Sequence, residues 1–80
     1  MLAIRAFGFI AEEPERLARF LDLTGISSAQ IRAAVREPGF FAGVIEHMLA
    51  DESLLIAFAE SAGIHPAEVA RAGAVLANNS

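Results

Sequence analysis

The stretch LARFLDLTGISSAQIRAA (residues 17–34) recurs in altered form as LIAFAESAGIHPAEVARA (residues 55–72). In both stretches the residues before the glycine follow the spacing i, i+3, i+4 and i+7, which is typical of one face of a helix. Gly25 and Gly63 lie where a left-handed residue would end that helix, and Ile26 and Ile64 supply the apolar contact that usually follows. Each stretch therefore predicts a helix, a Gly-Ile turn and a second helix.

Prolines and capping residues mark where the helices begin. Ser27 and Gln30 have the spacing of a capping box, and Asp51 suits the N-cap of the helix that follows it. A proline suits the first position of three helices: Pro14, Pro38 and Pro66. These signals predict six helices, near residues 2–11, 14–24, 28–36, 38–50, 52–62 and 66–77.

The apolar pattern extends the similarity beyond the two quoted stretches. We call the separation between Phe20 and Phe58 the repeat offset. At this offset, three residues of the first helix fall opposite three of the fourth: Ala3, Phe7 and Ile10 against Phe41, Ile45 and Met48. We therefore predict one all-α domain over residues 1–80, a compact bundle of about six short helices. Its pseudo-duplicated three-helix unit would occupy residues 2–36 and 38–77.

Composition excludes several classes of function. The 80-residue chain has no cysteine, which excludes disulfides, thiolate metal ligands and a cysteine nucleophile, and makes the cytoplasm the default location. The net charge of −4 has the wrong sign for a protein that binds polyanions. The longest apolar stretch, residues 40–49, falls far short of the ~20 residues that cross a membrane.

Catalytic and metal-binding motifs are lacking as well. The serines suit turns and helix ends, and neither a nucleophile elbow nor a phosphate-binding glycine loop is present. His47 and Asp51 have a spacing that could share a metal ion, but Asp51 is better explained as an N-cap. We expect no enzymatic activity, no cofactor and no metal.

An apolar surplus favours an interaction surface. Hydrophobic residues make up 55% of the chain, more than a small core needs unless alanine packing accounts for it. Phe9 aligns with His47, which predicts a partly exposed position, although Phe9 could also lie at the core edge. The predicted surface consists of Leu2, Phe9, Phe40 and His47, and would serve a protein partner or a homodimer.

The glycine-centred units also resemble a helix-turn-helix, which is the alternative function. In DNA-binding members the residues after the turn contact bases and phosphates. Here the candidates for nucleic-acid contact are Ser27, Ser28, Arg32, His65 and Arg71. The same turn occurs in any tight helical corner, and the abundance of glutamates opposes phosphate binding.

The segments FIAEEPERLARFLDLTGIS, EPGFFAG and DESLLIAFAESAGIHPAEVARA resemble a small all-helical family of alphaproteobacteria that is catalogued as a domain of unknown function. The resemblance spans nearly the whole chain. It implies an all-α fold and a bacterial cytosolic origin, and it implies no activity and no functional residues.

Overall fold

The computed structural model describes residues 2–78, of which Asn78 is described by its backbone alone. All regular elements in this range are helices, as predicted: α1 (Leu2–Glu12), α2 (Pro14–Thr24), α3 (Ile31–Ala34), α4 (Phe40–Leu49), α5 (Glu52–Ala62) and α6 (Pro66–Asn78). The outermost residues of the predicted 1–80 domain (1, 79 and 80) lie outside the described range. The all-α helical bundle is thus confirmed.

Helix α4 is the centre of the packing. It contacts α1, α5 and α6, and it buries Phe40, Val44, Ile45 and Met48 on the face it turns to them. Its approach to α6 is tight, because a Cβ added at Gly73 would lie 3.0 Å from Cγ2 of Ile45. Since glycine has no Cβ, the two helices can approach closely at this point.

Helix α1 lies against α4 through a narrow apolar stripe. Ala3, Ala6 and Ile10 are buried and follow the spacing of one helix face. The core is continued by aromatic rings, since Phe7 packs edge-on against Phe40 at 5.2 Å and against Phe20 at 5.9 Å between ring centroids. Edge-on packing is the favoured arrangement of aromatic pairs.

The helix ends follow most of the predicted capping signals. Pro14 occupies the first turn of α2, and the side chain of Asp51 accepts a hydrogen bond of 3.2 Å from the backbone N–H of Leu54. Gly25 and Gly63 both have positive φ, at 77° and 69°. These two glycines therefore end α2 and α5 in the left-handed conformation that side chains disfavour.

The third helix is shorter than predicted. Residues 28–30 form a turn rather than helix, because the N–H of Gln30 donates to the carbonyl of Ser27 instead of its side chain. The other half of the predicted capping box is present, since the N–H of Ser27 donates to Oε1 of Gln30 at 3.3 Å. Ser27 is therefore not the N-cap of an α-helix, and α3 has only four residues.

The prediction that Pro38 begins the fourth helix was also wrong. Pro38 and Gly39 lie in a turn, and α4 begins at Phe40. The N–H of Phe40 donates to the carbonyl of Glu37 at 3.1 Å, which closes this turn across the proline. The fixed φ of proline suits such a turn as well as the first position of a helix, so Pro38 alone could not distinguish the two.

Candidate functional site

An open groove of about 420 Å³ lies between the end of α2 and one side of α4. We call it the α2/α4 groove; it is lined by Leu23, Thr24, Gly43, Glu46, His47 and Ala50. Leu23 is the most exposed large hydrophobic side chain among the described residues, with 67% of its surface accessible. Single exposed leucines are common on protein surfaces, so it is the position of Leu23 at the edge of a concave surface that makes this groove the candidate site.

His47 is one of the residues that line this groove. Its ring packs edge-on against Phe20, with the ring centroids 5.1 Å apart. Burial lowers the pKa of His47 below its ordinary value; the carboxylate of Asp51 acts to raise it, and Arg19 lowers it further. The lowered pKa favours the neutral imidazole at pH 7, and Glu46 supplies the one formal charge of the groove lining.

A second groove, of about 390 Å³, separates α2 from α5. Three pairs of its lining residues are related by the repeat offset: Glu15 and Ser53, Arg16 and Leu54, Arg19 and Ala57. The wall from α2 is charged, whereas the wall from α5 is not. Asp51 completes the lining and lies 3.9 Å from Arg19; this long ion pair, in which Arg19 is exposed and Asp51 half-buried, has little energetic weight.

The predicted interaction residues have different environments. Phe40 is only 7% exposed and belongs to the core, so its assignment to a surface was wrong: its ring is enclosed by Phe7, Phe20 and Phe41. Leu2 and Phe9 are half-buried. His47 is half-buried too and lines the α2/α4 groove.

Phe9 is covered by an arginine. The guanidinium of Arg16 lies 4.0 Å from the centroid of the Phe9 ring, and its Nη1 donates a 3.2 Å hydrogen bond to the Phe9 carbonyl. Helix α1 has no basic residue in its own last turn, so Arg16 compensates the negative end of that helix from a neighbouring element. Because Arg16 covers its ring, Phe9 is less available for contact with a partner than the sequence suggests.

The candidate nucleic-acid contacts are all exposed: Ser27, Ser28, Arg32, His65 and Arg71. They belong to two units of unequal form. The α2–α3 unit carries Arg32 on a second helix of four residues, whereas the α5–α6 unit carries Arg71 on a second helix of thirteen. Only the α5–α6 unit therefore has a second helix of the length used in a helix-turn-helix.

Sequence reasoning missed most of the α2/α4 groove. Leu23 was not distinguished from other helical leucines, and Gly43 was not considered. A signal for Gly43 was present, because it falls opposite Arg5 at the repeat offset, which also aligns Phe9 with His47. At this position the first half of the chain has a long side chain and the second half has none.

Residues 2–78 contain no group of three acidic, histidine or cysteine side chains placed to hold a metal ion. Within that range no helix combines the length and the apolarity needed to cross a membrane.

Comparison with known proteins identifies a family and nothing closer. No curated protein and no solved structure matches the chain. The family model described as "Protein of unknown function (DUF3572)" matches residues 1–79, nearly the whole length. The chain thus belongs to the DUF3572 family.

Proposed function

We propose that the protein is a small non-catalytic helical interaction module that binds a partner protein at the α2/α4 groove. The observation that carries this proposal is the juxtaposition of the groove with Leu23, two-thirds of whose surface is exposed. Protein interfaces typically have an apolar centre, or anchor, surrounded by a polar rim. Here Leu23 is the anchor, and Glu46 and His47 are the polar neighbours.

The framework around the groove supports this role. The groove is built on α2 and α4: α4 is held by three other helices, and Phe20 of α2 packs against the rings of Phe40 and His47 of α4. A site on packed helices keeps its shape without a partner, which lowers the entropic cost of binding. The lack of a cysteine and of a nucleophile motif accords with a non-catalytic module. We further propose a cytoplasmic location in an alphaproteobacterium, in keeping with the family resemblance.

A homodimer is a variant of the same proposal. Two copies would each bring a net charge of −4, so their association would be strengthened by salt, which screens the repulsion. Analytical ultracentrifugation at low and high ionic strength measures this directly. A monomer under both conditions would exclude the homodimer.

Nucleic-acid binding through α5 and α6 is the second candidate. It is favoured by the burial of Ala59 and Val69 on either side of the left-handed Gly63, which is the packing that a helix-turn-helix requires. A salt-sensitive complex with duplex DNA, weakened by Arg71→Ala, would support it. The absence of any complex at low salt would remove it.

The interaction proposal is tested with two matched variants. Wild-type protein, Leu23→Ser and Val75→Ser are used as bait in a lysate of the source organism, and a captured protein is then purified for affinity measurement. Val75 is an exposed apolar residue of α6 and serves as the control. We expect Leu23→Ser to weaken the purified complex by about tenfold or more and Val75→Ser to leave it unchanged. Equal affinity of both variants and the wild type would contradict the proposal.

A further inference from the structure

The α2/α4 groove has a counterpart elsewhere in the molecule. The repeat offset relates its lining residues to Ser61, Ala62, Arg5, Gly8, Phe9 and Glu12. The two settings share their helix geometry, since α2 and α5 each contain 11 residues and end at Gly25 and Gly63, whose φ angles differ little. Residues related by this offset can therefore be compared as equivalents.

In the counterpart, an arginine of the chain itself reaches the end of α5. Nη2 of Arg5 donates a 3.3 Å hydrogen bond to the carbonyl of Ala62, the last residue of α5. Helix α5 has no basic residue in its own last turn. The guanidinium from α1 therefore compensates the negative end of the α5 dipole.

The α2/α4 groove has the same acceptor position without the arginine. Thr24 is the last residue of α2 and corresponds to Ala62, while Gly43 corresponds to Arg5. A Cβ added at Gly43 would meet no atom within 4 Å, so the space that a side chain would enter is open. Helix α2 also lacks a basic residue in its last turn.

We propose that the α2/α4 groove receives an arginine side chain of a partner protein, which would bond the end of α2 in the way that Arg5 bonds the end of α5. This inference rests on the proposed interaction function and names its chemistry. The carboxylate of Glu46 and the end of α2 are complementary to a cation, and the neutral ring of His47 stands where the counterpart has Phe9. A planar guanidinium can bond a carboxylate, a carbonyl and a ring face together, which an ammonium cannot do as well.

The charge of the remaining chain accords with a basic partner. The net charge is −4, and Glu46 is the charged residue among the six that line the groove, apart from the titratable His47. An arginine entering the groove is thus attracted both by the molecule as a whole and by its lining. Leu23 at the rim would contact the apolar part of the arginine side chain or its neighbours in the partner.

The test uses a small probe on the intact protein. N-acetyl-arginine amide is titrated into isotopically labelled protein while the backbone amide resonances of Thr24, Gly43 and His47 are followed by NMR. N-acetyl-citrulline amide is the matched control, because it has the same shape without the charge. We expect saturable shifts at these three amides with the arginine probe and roughly tenfold weaker binding of the citrulline probe.

A pair of variants adds a second readout. Gly43→Arg supplies the guanidinium from within the chain and should abolish the shifts, whereas Gly8→Arg makes the same charge change in α1 and should retain them. The inference is overturned if the arginine probe causes no saturable shifts, if both probes bind equally, or if binding survives in Gly43→Arg.

These outcomes separate this inference from the proposed function. If the arginine probe does not bind but a partner complex depends on Leu23, the arginine inference is contradicted and the proposed docking surface is still supported. If the arginine probe binds but no partner complex depends on Leu23, the proposed interaction function is contradicted, and the groove is only a binding site for a guanidinium group.

Discussion

Phe20 and Phe58 are related by the repeat offset, and each packs against a ring contributed by the opposite half of the chain. Phe20 contacts His47 at 5.1 Å, and Phe58 contacts Phe9 at 5.5 Å. Phe9 and His47 are themselves related by the repeat offset, so the two contacts are reciprocal. Reciprocal contacts are the pattern that a two-fold relation between similar halves produces.

This relation predicts equal costs for removing the two rings. Phe20 and Phe58 are 1% and 2% exposed, so Phe20→Ala and Phe58→Ala should each lower the free energy of unfolding by ~3–5 kcal/mol. Urea denaturation measures both values, with the exposed Leu23→Ala as control, for which we expect a change within about 0.5 kcal/mol. A loss confined to one of the two phenylalanines would contradict the equivalence of their sites.

The left-handed glycines predict that glycine-to-alanine substitutions change the stability of the fold in opposite directions at different positions. Gly25→Ala and Gly63→Ala should each destabilise the fold by more than ~1 kcal/mol, because a Cβ is strained at positive φ. Gly8→Ala is the control: Gly8 lies inside α1 with open space around it and should gain up to ~1 kcal/mol from helix propensity. Thermal and urea unfolding of the three variants would contradict this account if all three changed in the same direction.

His47 predicts a specific pH dependence of stability. Burial lowers its pKa, opposed by Asp51 and assisted by Arg19, so the unfolded chain takes up a proton at a higher pH than the folded protein does. The free energy of unfolding should therefore fall as the pH drops below the ordinary histidine value of ~6.5, until the lowered pKa is passed.

The variant His47→Phe isolates this contribution, since it carries the residue found at position 9. Urea unfolding between about pH 8 and about pH 5 should give a flatter profile for the variant than for the wild type. His65→Asn controls for the removal of a histidine elsewhere. An unchanged slope in His47→Phe, or an NMR titration placing the His47 pKa above its ordinary value, would disprove the assignment.

The open groove predicts a stabilising substitution. Gly43→Ala and Gly43→Arg should both gain up to ~1 kcal/mol by removing a helical glycine, and the arginine variant should exceed the alanine variant by about 0.5 kcal/mol by compensating the end of α2. The excess should shrink at about 1 M salt, where exposed charges are screened. Denaturation of both variants at low and high salt measures it, and an arginine variant no more stable than the alanine variant at low salt would contradict the comparison with Arg5.

Much of the fold could be predicted because its signals are local. Helix periodicity, Pro14, Asp51 and the two left-handed glycines act within a few residues, and they located α2 and α5 to the residue. The errors came where two local signals compete. Ser27 satisfies a turn through its carbonyl, and Pro38 lies within a closed connection, so neither begins a helix.

The candidate site was harder to predict because it depends on contacts between helices. Nothing local to Phe40 indicates that its ring packs among other aromatic rings, and nothing local to Leu23 distinguishes it from other helical leucines. Among the residues of the predicted interaction surface, His47 lines the α2/α4 groove. The groove is open because Gly43 has no side chain. This is apparent only when Gly43 is compared with Arg5 at the repeat offset.

The most direct measurement is the affinity of the purified partner for wild-type protein, Gly43→Arg and Gly43→Ala, by isothermal titration calorimetry. If the groove is the docking site, Gly43→Arg should lose at least about tenfold in affinity because its own arginine occupies the space, while Gly43→Ala should bind as the wild type does. Equal affinity of all three proteins would show that the partner binds elsewhere, and it would contradict the account.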